Sequence, residues 1–170
     1  MAKSYKAFKE DWPRRLELDT IDKVLMALGL VIILVTAART AMVYPSLPAE
    51  IPNHYDASGN VTSYDGKFTL IILVGADIFC WLMMVVCNFF PQAINVPVFL
   101  LRREPEEIIR GTRVYLNATI LLVAGMFFYI QEATIRVATG VAMGIGMGIW
   151  FFTALIFISM AVYFIWMAKG

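Results

Sequence analysis

Apolar positions in this chain are gathered into long blocks, and the polar ones are packed into the segments between them. The blocks run from Val24 to Tyr44, Phe68 to Phe90, Thr112 to Gln131 and Gly144 to Met167. About 20 apolar residues cross a bilayer as a helix, so each block is long enough. In lipid a backbone must satisfy its own hydrogen bonds, and the short alternating segments of a membrane β-barrel are missing from the pattern. The pattern therefore predicts an all-α membrane protein of four transmembrane helices. Residues 24–170 form one membrane domain behind a cytoplasmic lead at 1–23. Composition agrees: 60% of the 170 residues are hydrophobic and 16% charged, against nearly half and a quarter in soluble domains. The implied partner is the lipid bilayer. A net charge of +1 carries no argument for nucleic acid, and no such partner is expected.

The placement of charge is more informative than its sum. Lys3, Lys6, Lys9, Arg14, Arg15 and Lys23 precede the first block, Arg102, Arg103, Arg110 and Arg113 lie around the second connection, and Lys169 follows the last. Only Lys67, Arg136 and Arg39 fall on the other side. Lysine and arginine are retained in the cytoplasm, so both termini are expected there and the 45–67 loop outside. The small residues of "VTAA" at 35–38 resemble a signal-peptidase site, but a 23-residue lead is long and the apolar run continues to Tyr44. The first block is expected to be an uncleaved anchor.

The lead, "KSYKAFKEDWPRR", places Tyr5, Phe8 and Trp12 on one helical stripe among lysines. That suits either a helix in the headgroup layer or a basic segment that only enforces topology. Asp19 is positioned as the N-cap of the first helix. In the second connection "VPVFLL" is too short to cross and reads as interfacial. Pro105 can open the third helix, with Glu106 four residues before Arg110. Gly140, Gly144 and Gly148 recur at steps of four and predict a close helix-packing face, toward the bundle or toward a second copy. Cys80 and Cys87, two helical turns apart at about 10 Å, are too distant for a mutual disulfide.

Asp77 falls near the middle of the second block, with Trp81, Met84 and Asn88 continuing its face. A charge there is costly unless it meets protein or water, and Arg39 is the expected partner. Two roles follow for an Arg39–Asp77 pair: a polar clamp setting helix register, or a proton or ligand site. Asn117 is expected to hydrogen-bond between helices.

The loop "YPSLPAEIPNHYDASGNVTSYDGK" at 44–67 holds the chain's one histidine. Pro48 and Pro52 impose extended geometry, "IPNHY" and "VTSY" are strand-prone, and "DASGN" is a turn cluster between them. The loop is predicted to be an ordered hairpin lid, with His54, Tyr55, Asp56, Asp65 and Lys67 as its candidate recognition residues. His54, Asp56 and Asp65 match no metal-site spacing, and a lone histidine lacks a nucleophile to serve. Neither a metal, a cofactor nor catalysis is expected.

Leu47-Pro48, Ile51-Pro52, His54-Tyr55-Asp56, Gly59 and Lys67, directly after a first membrane helix, resemble a bacterial membrane domain of unknown function that occurs in SdpI-type immunity proteins. The resemblance covers about residues 25 to 90. It implies a bacterial inner-membrane protein that protects against a secreted peptide toxin or signals envelope stress, with the lid and the mouth near Arg39 and Asp77 as recognition surface. Two other readings stay open. One is an accessory subunit of a larger membrane complex, met through the glycine face. The other is an oligomeric channel or transporter with Asp77 in its pathway.

Overall fold

The computed structural model describes residue 13, residues 16–94 and residues 103–169. The interfacial helix considered for the lead and the interfacial segment considered at 96–101 fall outside these residues. The order is helix α1 (Thr20–Val43), strands β1 (Glu50–Tyr55) and β2 (Val61–Gly66), then helices α2 (Thr69–Cys87), α3 (Pro105–Ala138) and α4 (Gly148–Ala168). Single 3₁₀ turns follow α1 at Tyr44–Ser46 and α2 at Pro91–Ala93. All four α-helices are long and apolar enough to cross a membrane.

Helix α1 starts at the expected Asp19, whose extended backbone breaks from the helix. The Asp22 carboxylate accepts from the Asp19 amide at 3.0 Å, satisfying one N-terminal donor. The Asp19 carboxylate completes the capping box toward the Asp22 backbone and also accepts from the guanidinium of Arg110.

Helix α3 is the axis of the fold: α1, α2 and α4 all pack on it. Its 34 residues span about 51 Å at 1.5 Å each, beyond the ~30 Å hydrocarbon core. It therefore outruns the expected 112–131 at both ends. The additional turns are charged and paired, with Arg110 2.9 Å from Glu106 and Arg103 3.6 Å from Glu107. Pro105 occupies its first turn, where a missing N–H costs nothing, and Glu106 and Glu107 sit favourably at the positive end of the helix dipole. Helix α4 has a single buried residue, Met167, and exposes Phe151, Phe157, Ile158 and Ile165. Such a surface suits lipid, where apolar side chains need no cover.

Two apolar clusters mark the ends of the bundle. Leu47, Ile51, Leu70 and Ile135 close the hairpin end. Ile108, Ile109 and Met167 close the opposite one.

The expected glycine face does not exist as a face of one helix. Gly140 ends α3 instead: its φ is +75°, and the amides of Gly140 and Val141 turn back to the carbonyls of Val137 and Arg136 at 3.0 and 2.8 Å. That is a Schellman stop, which demands a left-handed residue. Gly144 lies in the loop that follows, where a Cβ would overlap the carbonyl oxygen of Gly59 in the hairpin turn. Only Gly148 serves helix packing, since a Cβ there would overlap the Tyr129 ring of α3.

A Gly144→Val substitution should force the hairpin turn off the α3–α4 loop, at a cost of about 1–3 kcal/mol for overpacking. Thermal unfolding in detergent should show the loss, and the Ile145 amide, which donates to Gly59 at 2.9 Å, should exchange faster with deuterium.

Candidate functional site: a cleft beneath the hairpin

The hairpin forms because its turn is self-sufficient. The Asp56 carboxylate accepts from the Ser58 and Asn60 amides at 2.8 and 2.9 Å and from the Asn60 side chain at 3.0 Å. These donors, the Asn60 side chain first, hold the Asp56 carboxyl below its usual 3.8. Gly59 takes the positive φ, +84°, that the turn requires. The strands pair antiparallel, from Glu50 opposite Gly66 to Tyr55 opposite Val61, with irregularities on either side of His54. In a two-stranded ladder Pro52 has no second neighbour to leave unpaired.

Tertiary contacts tie the hairpin down at both ends. At its base Ile51 is wholly buried among Leu47, Leu70 and Ile135. Lys67 donates its Nζ to the carbonyls of Tyr44 and Leu47 at 3.0 and 3.1 Å, a cation meeting the unsatisfied acceptors beyond a helix C-terminus. Midway, the Tyr55 hydroxyl donates to Thr134 of α3 at 3.1 Å, and burial raises that phenol above its ordinary 10.0. At the tip, the Trp150 indole of α4 donates to the Ala57 carbonyl at 3.0 Å. Gly144 bridges to Asn60 there. The hairpin is thus a strap from the α1–α2 end of the bundle to the α3–α4 loop.

Beneath the strap lies a cleft of about 480 Å³, within the size range of small-ligand sites. Its roof is Pro52, Asn53, His54, Tyr55, Asp56 and Ala57. Leu70 and Leu73 of α2, Ile130 of α3, and Ile149 and Trp150 of α4 supply an apolar lining. His54, Tyr55 and Asp56, from the expected recognition set, therefore border one space. Asp65 and Lys67 do not. Asp65 accepts from the Gly66 amide at 2.7 Å on the exposed strand, and Lys67 is committed to the Tyr44 and Leu47 carbonyls. No shared polar network links His54, Asp56 and Lys67: His54 Nδ1 meets Ser63 at 3.0 Å, and Asp56 is used up by its own turn. Among the described residues no three of His, Cys, Asp and Glu converge as metal ligands would.

The expected Arg39–Asp77 pair is not formed. Arg39 is held by Glu132 of α3, with Nε 3.1 Å from Oε2 and Nη2 3.3 Å from Oε1, the two-point geometry that a guanidinium favours. Asp77 is 1% exposed, and neither carboxylate oxygen has a hydrogen-bond partner. The error lay in the choice of counter-ion. Glu132 follows directly on the third apolar block, and a count of charges at the hairpin end would have offered it to Arg39.

Elsewhere the buried polar groups of α3 find partners across the bundle. Gln131 donates to Thr40 of α1 at 2.6 Å and to the Leu70 carbonyl of α2 at 3.3 Å. Asn117, the expected interhelical hydrogen bonder, donates to Asp22 at 2.9 Å and exchanges bonds with Asn88 at 3.0 and 3.1 Å. Arg113 gives its guanidinium to the carbonyls of Asn88, Glu17 and Leu16, the closest at 2.8 Å. Sequence reading missed Thr134, Gln131 and Trp150, whose roles depend on which helices become neighbours.

Four apolar helices with a strapped hairpin after the first define the class, a multi-pass membrane protein. The family model described as Domain of unknown function (DUF1648) matches residues 31–76. That segment takes in the C-terminal half of α1, the whole hairpin and the start of α2, while the α3 and α4 walls of the cleft lie outside it. No curated protein and no solved structure matches the chain significantly.

Two measurements check this geometry. In a double-mutant cycle on detergent stability, Arg39→Gln and Glu132→Gln should couple by about 0.2–1 kcal/mol, the range of half-exposed pairs. Arg39→Gln and Asp77→Asn should be additive. In acid, the Asp56 turn should open late. A carboxylate whose folded value is depressed contributes stability above its unfolded value, and loses it as pH falls through the folded one. Exchange at the Asn60 amide should therefore accelerate only below the ordinary carboxylate range, and Asp56→Asn should remove that pH dependence.

Proposed function

We propose that this chain is an SdpI-type receptor of the bacterial plasma membrane, with both termini cytoplasmic, that binds a membrane-active peptide under its extracytoplasmic hairpin. Immunity to such a toxin, or signalling of its presence, is the function this serves. The observation that carries the proposal is the cleft itself: an apolar space roofed by residues of the resembling motif, Pro52, His54, Tyr55 and Asp56. An amphiphilic ligand suits it. Apolar side chains would lie against Leu70, Leu73 and Ile149, while the polar backbone meets the exposed face of the strap. Binding needs no catalytic group. The orientation rests on the excess of lysine and arginine around the lead and the second connection.

Bacteria that express the wild-type chain should survive a secreted membrane-active peptide toxin that kills cells without it. Leu73→Trp, which fills the cleft, and His54→Ala, which strips its roof, should lower the tolerated dose by about tenfold, equivalent to ~1.4 kcal/mol of binding. Thr62→Ala, on the far strand, should leave protection intact. Full protection by Leu73→Trp protein present at wild-type level would exclude the cleft. Purification with a stoichiometric larger partner would favour the accessory-subunit reading instead.

A further inference from the structure

We propose that Asp77 is a proton-binding site inside the membrane domain, in equilibrium with the hairpin side and closed from the opposite side. The inference stands apart from the cleft and its ligand. Its first ground is the isolation of the carboxyl group. Asp77 lies in the middle of α2, is 1% exposed, and has no hydrogen-bond partner at either oxygen. No charge of the neighbouring helices is free to compensate it. On α1, Arg39 is engaged by Glu132 of α3 at the hairpin end. On the same helices Asp22 and Arg113 belong to the cluster with Asn117 and Asn88 at the far end. Lys23 lies in the first turn of α1, while Arg110 and Arg136 lie toward the two ends of α3. An ionised carboxylate would stand uncompensated in an apolar layer, whereas the neutral acid is the form that such a site accommodates.

The second ground is a difference between the two directions along the helix interface. Toward the hairpin lie further buried polar side chains: Thr36 and Thr40 on α1 are 3% and 4% exposed, and Gln131 on α3 is 2% exposed. Gln131 bonds Thr40 and the Leu70 carbonyl, and Leu70 is about 10 Å along α2 from Asp77, at 1.5 Å for each residue. In the other direction the next buried polar side chain of α2 is Asn88, about 16 Å away. Trp81 and Ile120 fill the space between. A Cβ on Gly29 would lie 3.0 Å from Ile120 Cγ2 and 3.3 Å from Trp81 Cδ1, and the Trp81 indole N–H is already donated to the Met26 carbonyl at 3.2 Å.

The bound species is a proton rather than a metal ion. A metal cation requires several oxygen ligands, and the buried hydroxyl groups of α1 are turned elsewhere: Thr36 donates to the Ile32 carbonyl and Thr40 to the Thr36 carbonyl, both at 2.9 Å. A proton needs one oxygen only. Hydronium protonates the carboxylate, leaving a carboxylic acid and one water. Loss of that proton draws water or a helix shift to α2, so the packing of α2 against α1 and α3 follows the acidity of the hairpin side.

Infrared difference spectroscopy on the full chain in proteoliposomes tests both parts. At neutral pH a carboxylic-acid C=O band should be present, absent in Asp77→Asn and shifted in Asp77→Glu. It should move on exchange to heavy water, and convert to carboxylate when the hairpin side alone is made alkaline. Should Asp77→Asn not fold, the Asp77→Glu shift still assigns the band. A wild-type spectrum with only ionised carboxylates at neutral pH would overturn the site. A band that responds equally to the opposite compartment would overturn its one-sided access.

Discussion

The fold depends on one constraint: each polar group that α3 carries into the bundle must find its partner elsewhere within the protein. Lipid offers none, and an unpaired polar atom in an apolar layer costs kilocalories. Arg113 and Asn117 meet this demand at one end by drawing in the carbonyls before α1, the end of α2 and Asp22. Gln131 and Glu132 meet it at the other by holding Thr40, Leu70 and Arg39. Apolar packing alone would let the helices slide, because lipid tails are as apolar as leucine. The polar pairs fix the register, and the hairpin's attachment points follow from it.

The hairpin is a strap because its two ends are attached by different kinds of contact. Burial of Ile51 and the hydrogen bonds of Lys67 to the Tyr44 and Leu47 carbonyls just beyond α1 fix the base. The tip is set by close backbone approach, which glycine permits at residues 59, 144 and 146. A strap attached at both ends preserves a cleft that a mobile loop would not. The cleft walls come from α2, α3 and α4, so the space exists only once all three helices are in place. The residues of the resembling motif contribute only its roof.

Asp77 and Arg39 illustrate how far position in a sequence can be carried. Both were rightly noticed as charged residues in apolar surroundings, and both are structurally distinctive. Helical rise gave their depth, but rise says nothing about azimuth, and azimuth put Glu132 beside Arg39 and left Asp77 alone. The glycines teach the same lesson. A step of four suggests one helix face, yet Gly140 and Gly146 carry positive φ, so the segment that contains them is a loop.

The sequence by itself determined the four helices, the order of elements and the ordered hairpin with its turn at Asp56 to Asn60. Those features are set by interactions close along the chain: apolar length against bilayer thickness, proline and glycine geometry, and a carboxylate capping its own turn. The start of α3 at Pro105 and its Glu106–Arg110 pair were legible for the same reason. Only the tertiary structure decided the partner of Arg39, the isolation of Asp77, the docking of the tip on Gly144 and the cleft beneath. Each joins residues far apart in the chain, and their meeting depends on the rotation of one helix against another, which no local preference encodes.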